Sequence, residues 1–350
     1  MSQTLVYPPL SNLHKKAGAK CVSFANHYLP LWFSDMKTEH LAVRNRAGIF
    51  DISHMGVFAL TGPHAASLLR RLSCNDIDRA AQNTMIYAMF LNDSGMILDD
   101  VMLGKHHDTW YLVVNGSNRN KIQNWIASHN TEHVPITLLN TAHSFLALQG
   151  PQAVRTFTRL FSLDLSQLPR FGMITVPINN IPTVILRTGY TGEDGLELIV
   201  DNRIVEQVWA ACIADGVQPC GLAARDSLRI EYGLPLYGQE LSESIHPHMT
   251  RYPWILKSEA PFIGKHALAT LKESTALKAV GLTLDSSLIA RPNYPIQEGG
   301  HITSGTLSPI TGASIALAFV PTQLAEHGTC VTVQIRKHMV SAVVCKVPFL

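Results

Sequence analysis

Read for hydrophobic and polar positions, the first 130 residues give short strands with helices between them. Residues 38–48 (Thr-Glu-His-Leu-Ala-Val-Arg-Asn-Arg-Ala-Gly) predict a short helix, capped by Thr38 and closed by Gly48. Residues 50–60 alternate and then meet Gly62-Pro63, which predicts one strand and a turn. Residues 63–72 fit a helix with Ala65, Leu68, Leu69 and Leu72 on its apolar side. Residues 85–92 and 96–103 read as strands joined by a tight turn at Asp93-Ser94-Gly95. Residues 110–115 give another strand and 118–128 a helix, while His106-His107, between strand-like runs, reads as an exposed turn.

A new segment starts at Gln149-Gly150-Pro151, with a helix over 151–161 and a strand over 181–187. A polar, glycine-dense loop at 188–195 precedes a strand at 196–200, and helices follow at 204–214 and 223–231. After about residue 275 short strands alternate with turns (278–284, 304–308, 315–320, 331–335, 341–347), which predicts a small all-β C-terminal domain. The pattern is α+β rather than doubly wound. No G-x-G-x-x-G run follows a strand, so a dinucleotide fold has no motif support. At roughly 100–200 residues per domain, 350 residues predict two or three domains.

Composition narrows the classes. A 46% hydrophobic and 15% charged chain has ample material for a packed core and excludes disorder. The 28 Lys+Arg against 26 Asp+Glu are too balanced for a nucleic-acid footprint. No apolar run approaches the roughly 18–20 residues of a membrane span, so neither nucleic acid nor membrane is expected as a partner. The six cysteines form no C-x-x-C pair and are thin for a disulfide scaffold, which points to reduced, mostly buried thiols in the cytoplasm. Residues 1–10 are polar with a Pro pair and lack the signature of a secretory signal or an Arg-rich transit segment. Sixteen His raise a metal question, but no H-E-x-x-H spacing appears and no metal is expected.

Three segments carry candidate chemistry. In 187–198 three glycines fall within seven residues, which implies backbone angles or close approaches that side chains forbid. Tyr190 offers a flat face and a hydroxyl there, and Glu197 sits on a strand between Leu196 and Leu198. A carboxylate on the inner face needs a partner, and two adjacent N–H donors of a ligand would suit it; an outward Glu197 on a surface loop is the competing reading. Asp99 and Asp100 interrupt an apolar strand, and alternation sends them to opposite faces, so at most one faces a shared cavity. Such a carboxylate handles protons or steadies a developing cation, unless one acid caps a bend and the other is solvated. Arg225, Arg229 and Tyr232 share one helix face, with Arg225 placed to reach a ligand and Arg229 read as a structural ion pair. Tyr237 and Gln239 follow a Pro-bearing turn as core or rim residues. There is no G-x-S-x-G nucleophile elbow.

The ordered set of segments resembles the T-protein family of the glycine cleavage system, the tetrahydrofolate-dependent aminomethyltransferases. The matching pieces include Glu39-His-Leu-Ala-Val-Arg44, Gly48-Ile-Phe-Asp-Ile-Ser-His-Met-Gly56, Leu98-Asp-Asp-Val101, Val113-Val-Asn115 and Leu148-Gln-Gly-Pro151. Residues 187–198, Ala224-Arg-Asp226, Leu236-Tyr-Gly-Gln239, Ile302-Thr-Ser-Gly305, Ser308-Pro309 and Ile315-Ala-Leu-Ala318 continue the series in the family's order. The resemblance implies an α+β fold of three domains (1–147, 148–272 and 273–350) around a central folate channel, the last a small β-barrel. It implies transfer of an aminomethyl unit from the lipoylated H-protein to tetrahydrofolate, with ammonia released and no metal. Asp100 matches the critical catalytic acid, which physically would steady positive charge on an iminium-like carbon. Glu197 matches the carboxylate gripping the pterin edge. Tyr190 and Arg225 match further folate contacts, Tyr87, Asn115 and Met55 match residues near the pterin, and Tyr237 is assigned to the same site. Phe171 falls where family members place an aromatic, often Tyr, so stacking is kept and a hydroxyl is not. The chain departs from the family at Phe24-Ala-Asn-His-Tyr-Leu-Pro30, at residues 246–252 and at Ala290-Arg-Pro-Asn-Tyr294. A folate-dependent demethylase acting on a small amine or sulfonium is the alternative enzyme. A folate-binding iron–sulfur assembly factor is disfavoured, because Leu236 stands where those relatives carry Cys.

Overall fold

A computed structural model of the chain describes residues 5–350. Residues 1–4, the start of the stretch read above for a leader, lie outside the described residues. The chain opens with helix α1 (Ser11–Lys16), a hairpin of β1 (Lys20–Phe24) and β2 (His27–Trp32), and helix α2 (Met36–Asn45). Strands β3 (Gly48–Asp51) and β4 (Gly56–Thr61) lead to α3 (Ala65–Leu72), β5 (Thr84–Leu91), β6 (Ile97–His106), β7 (Thr109–Val114) and α4 (Arg119–His129). Next come β8 (Ile136–Leu138), β9 (His143–Gln149), α5 (Ala153–Phe161), β10 (Met173–Ile178), β11 (Ile181–Leu186) and β12 (Gly195–Asp201). Helix α6 (Val205–Ala214), β13 (Gln218–Cys220), α7 (Leu222–Tyr232) and α8 (Lys265–Leu271) follow. The last strands are β14 (Leu277–Leu284), β15 (His301–Leu307), β16 (Ser314–Pro321), β17 (Cys330–Ile335) and β18 (His338–Cys345). Two compact units alternate along the sequence: one takes residues up to Leu69, Ile77–Tyr87 and Val101–Asp226, the other Arg70–Asp76, Ala88–Asp100 and Ser227–Leu350.

The first unit holds a six-stranded sheet of order β10-β11-β12-β9-β3-β13, antiparallel except where β13 runs beside β3. The sequence reading gave β9 no strand. Its Ser-Phe-Leu-Ala-Leu-Gln run does not alternate, because both faces are covered and every residue after His143 is buried. Leu146 and Leu148 of β9 and Leu196, Leu198 and Val200 of β12 share a core with Phe157 of α5 and Trp209 of α6. Each such buried side chain contributes roughly 1.5–3 kcal/mol over exposure. Since strand side chains alternate, this arrangement turns Glu197 to the face opposite α5 and α6.

Four local expectations are corrected. The cap of α2 is Asp35, whose carboxylate accepts from the Thr38 N–H at 2.9 Å and its hydroxyl at 2.6 Å; Thr38 is the residue capped. Gly48 does not end that helix but starts β3, where a Cβ would sit 2.6 Å from Val43 Cγ2 and 2.7 Å from Cys220 Sγ. Residues 50–60 are two strands rather than one. Asp51 accepts from the Ser53 N–H at 3.0 Å and the Met55 N–H donates to Ile52 at 2.9 Å, so the chain bends out of one sheet and into a second of order β5-β6-β7-β4-β8. His106 is not an exposed turn residue. It ends β6 buried, with Nδ1 at 2.7 Å from Asn83 Oδ1 and Nε2 at 2.9 Å from Thr175 Oγ1.

The second unit is built on a five-stranded antiparallel sheet of order β15-β16-β14-β18-β17. Its core is aliphatic, with Leu282, Ile302, Val320, Val333 and Val344 buried together. The second half of α7 is fastened to it by buried charge. The Arg229 guanidinium donates to Glu240 Oε2 at 2.9 Å and to Ser304 Oγ at 2.6 Å, and Ser308 donates to Glu231 in a short hydrogen bond. Arg229 is therefore the structural ion pair expected from the sequence. The turn at residues 92–95 closes as predicted: the Gly95 N–H reaches Asn92 O at 2.9 Å, with Gly95 at φ +78°.

Candidate functional site

In the first unit the glycine-dense loop is held from four sides. At its base, Arg187 grips Asp194 with Nε at 3.1 Å and Nη2 at 2.7 Å, a bidentate pair that pulls Asp194 below the ordinary carboxylate range. From α2, Arg44 Nη1 donates to Thr191 O at 2.7 Å and to Glu193 Oε1 at 2.9 Å. Gln149, fully buried at the end of β9, donates from Nε2 to Thr188 O at 3.0 Å and accepts from Thr191 Oγ1 at 2.9 Å. Thr188 Oγ1 donates to Glu197 Oε2 at 2.6 Å, which ties the loop to β12. Gln149 explains Gly189, where a Cβ would fall 1.9 Å from its Oε1; at Gly195 a Cβ would fall 2.5 Å from the Leu148 carbonyl and 2.6 Å from Gln149 Nε2.

Glu197 is buried on β12. Burial pushes its carboxyl pKa up, while Thr188 and the positive charge of Arg225 pull it back. Arg225 is one turn into α7, and its guanidinium lies over the Tyr190 ring at 4.7 Å from the centroid. Burial lowers the Arg225 pKa, and Glu197 and Tyr190 counter it. Three residues come together here, a carboxylate, a guanidinium and a phenol. The start of α7 is fixed by Glu39, whose Oε2 accepts from the Gly221 N–H at 2.8 Å while Oε1 accepts from Phe33 at 2.6 Å and Ser34 at 2.9 Å. Beside this group His54 is buried and its pKa drops to about 3, through burial first and then the charges of Arg225 and His27, so it is a neutral imidazole at working pH.

The remaining first-unit residues are held by backbone contacts at two places. Asn140 Nδ2 donates to Met55 O at 2.9 Å, and Gly116, next to Asn115, approaches the His54 carbonyl too closely to carry a Cβ. Phe171 has a left-handed φ of +62° and a largely exposed ring. Its N–H donates to Arg187 O at 2.9 Å and its carbonyl accepts from Met85 at 2.7 Å, two residues before the half-buried Tyr87. In the second unit, Asp99 is fully buried and Asp100 half-buried, in keeping with alternate faces of β6. The Tyr237 hydroxyl donates to Ile97 O at 3.3 Å and the Ile97 N–H to Ile245 O at 2.9 Å, so both peptide groups of Ile97, three residues before Asp100, are held. Tyr252 is raised above the usual phenol range by burial and by nearby groups that include Asp100 and Glu240. Sequence reasoning missed Gln149, Thr188, Arg44, Glu39 and His54. No local sequence pattern marks the first of these, which lies some forty residues before the loop it contacts.

Among the described residues no group of three or more His, Cys, Asp or Glu side chains is placed to hold a metal ion. Among the same residues no helix is long and apolar enough to cross a membrane. The class these features define is an α+β protein with a buried carboxylate at a glycine-dense loop and a C-terminal antiparallel β-domain. The comparisons are specific. Residues 10–260 match the family described as the GCVT N-terminal domain, and residues 278–350 match the glycine cleavage T-protein C-terminal barrel domain. An aminomethyltransferase of Desulforamulus reducens is 40% identical over 99% of this chain and 98% of its own. One from Listeria welshimeri is 40% identical with the same coverage. The crystal structure of glycine cleavage system aminomethyltransferase T from Bartonella henselae superposes with a TM-score of 0.92 at 30% identity, covering 99% of this chain and 98% of that one. The chain belongs to the glycine cleavage T-protein family.

Proposed function

We propose that this protein is a tetrahydrofolate-dependent aminomethyltransferase of the glycine cleavage system. Aminomethyl-dihydrolipoyl H-protein and tetrahydrofolate give 5,10-methylenetetrahydrofolate, ammonia and dihydrolipoyl H-protein. The observation that carries the reading is Glu197, a buried carboxylate beside a guanidinium, with one oxygen bonded to Thr188 and its side chain on the sheet face opposite α5 and α6. A reduced pterin presents adjacent N–H donors, which one carboxylate accepts together, so the residues present fit that ligand. Tetrahydrofolate supplies the N5 and N10 nitrogens that take up the one-carbon unit. In this reading Glu197 orients the pterin, and Tyr190 and Arg225 hold it further. Tyr87, Asn115, Met55, Phe171 and Tyr237 complete the folate contacts, and Asp100 steadies positive charge developing on the transferred carbon.

The lipoylated H-protein is the proposed macromolecular partner, supported by family membership. The division into 1–147, 148–272 and 273–350 is the proposed domain structure, and the break between the two family matches, after residue 260 and before 278, supports its last boundary. The cytoplasm is the proposed compartment, supported by six free cysteines. A donor competition tests the function. Aminomethyl-loaded H-protein should yield methylenetetrahydrofolate and ammonia, while methylated amines and sulfonium compounds yield nothing. One-carbon transfer from the small donors alone would replace the reading with a demethylase.

A further inference from the structure

The loop at residues 188–194 has no regular secondary structure, yet its conformation is specified from inside by one side chain. Gln149 reaches from the end of β9 to the loop, and apart from a 3.4 Å contact of Nε2 with Leu148 O its amide bonds are to loop atoms or to the strand the loop enters. Nε2 donates to Thr188 O at 3.0 Å and to Leu196 O at 3.4 Å, and Oε1 accepts from Thr191 Oγ1 at 2.9 Å. Thr191 Oγ1 in turn accepts from the Glu193 N–H at 3.2 Å. These contacts bracket Tyr190, whose ring carries the Arg225 guanidinium, and Thr188, which holds Glu197. The three atoms nearest a Cβ on Gly189 would all belong to Gln149: Oε1 at 1.9 Å, Cδ at 2.6 Å and Nε2 at 2.7 Å. Gly189 does not occupy the left-handed region, so its backbone would accept alanine if Gln149 were not there.

We propose that Gln149 is a positioning residue for tetrahydrofolate binding, and that Gly189 lacks a side chain in order to admit it. Gln149 acts through the loop, fixing Thr188, Tyr190 and Thr191 as one rigid unit before ligand arrives. The inference rests on the reading that this loop binds folate. It predicts an unusual coupling. Gln149→Ala removes the template and leaves a gap facing Gly189. Gly189→Ala evicts the amide from its seat and breaks the same bonds from the other side. In the double variant the new methyl enters the space the amide has left, so its cost disappears.

The test is a calorimetric titration of the full chain with tetrahydrofolate, with thermal unfolding recorded for each variant. Gln149→Ala and Gly189→Ala are each expected to weaken binding about tenfold to a hundredfold, the scale for leaving buried polar groups unpaired. The double variant is expected to bind no worse than Gln149→Ala within about threefold, where independent effects would multiply. In steady-state assays the KM for tetrahydrofolate should rise by more than kcat falls. A residue that only supports the fold would lower the unfolding temperature without that split. Where Gln149→Ala does not fold, Thr191→Val decides, since it removes only the hydroxyl that Gln149 and Glu193 share; weakened binding supports the inference and wild-type binding overturns it. Multiplying costs in the double variant, or Gln149→Ala binding within twofold of wild type, also overturn it. If wild type itself fails to bind tetrahydrofolate, the functional reading falls and takes this inference's ligand with it. Wild-type binding with insensitive variants refutes the inference alone.

Discussion

Replacing Glu197 with glutamine keeps the shape of the side chain and removes its charge. Two consequences follow from the surroundings. The Thr188 hydroxyl, now donating at 2.6 Å to a carboxylate, finds at best a neutral acceptor. Arg225, held in a buried position partly by the Glu197 charge, loses that support. The ligand loses an acceptor for two N–H groups. A hydrogen bond to a charged group contributes about 1.5–3 kcal/mol, and about 1.4 kcal/mol is a factor of ten. Glu197→Gln should therefore weaken tetrahydrofolate binding by roughly tenfold to a hundredfold, and Glu197→Ala by at least as much. Calorimetric titration near neutral pH measures this directly. The pH dependence supplies a second readout. Burial raises the Glu197 pKa above that of an ordinary glutamate. The ionised form accepts the ligand's N–H groups and the protonated form does not, so affinity is complete above the raised pKa and falls as pH drops through it. The glutamine variant should lose that acid limb. Wild-type affinity in Glu197→Gln, or an unchanged acid limb, would refute the placement of the pterin at this carboxylate.

Other perturbations separate binding from chemistry and from folding. Asp100→Asn is expected to leave tetrahydrofolate affinity within a few-fold and to cut turnover about a hundredfold, the range for one electrostatic or acid–base group; unchanged turnover removes Asp100 from the mechanism. Arg229→Ala strands the Glu240 carboxylate in the second unit and should cost about 3–5 kcal/mol in denaturant unfolding. A loss below 1 kcal/mol would mean that the ion pair is dispensable. Gly104→Ala places a Cβ 2.1 Å from the Thr84 carbonyl, so it should lower the unfolding midpoint strongly, while Gly216→Ala, with open space at its Cβ but a left-handed φ of +83°, should lower it less, through backbone strain alone.

The elements legible in the sequence were those with a local cause. The α3 face of Ala65, Leu68, Leu69 and Leu72 is buried as its spacing required. The bend at Gly95 and the strands from 278 onward needed only alternation and turn residues. Strand β9 escaped because a strand covered on both faces has no period to read. His106 escaped because Asn83 and Thr175 lie 23 and 69 residues away in the chain. In the candidate site the glycine density of 188–195 and the odd carboxylate at Glu197 were visible, since both violate what a plain loop and strand require. Gln149 was not visible as a participant. An amide at a strand end has no distinguishing pattern until the loop it templates, some forty residues on, is folded over it. The same holds for Glu39, whose Gly221 partner is 182 residues away.

The most direct test of the central claim is the stoichiometry of a single-turnover reaction with aminomethyl-loaded H-protein. The account predicts one ammonia released for each methylenetetrahydrofolate formed, with neither product when tetrahydrofolate is withheld beyond the slow background of the loaded carrier. Ammonia release that proceeds equally without tetrahydrofolate, or folate binding with no product from the loaded carrier, would contradict it.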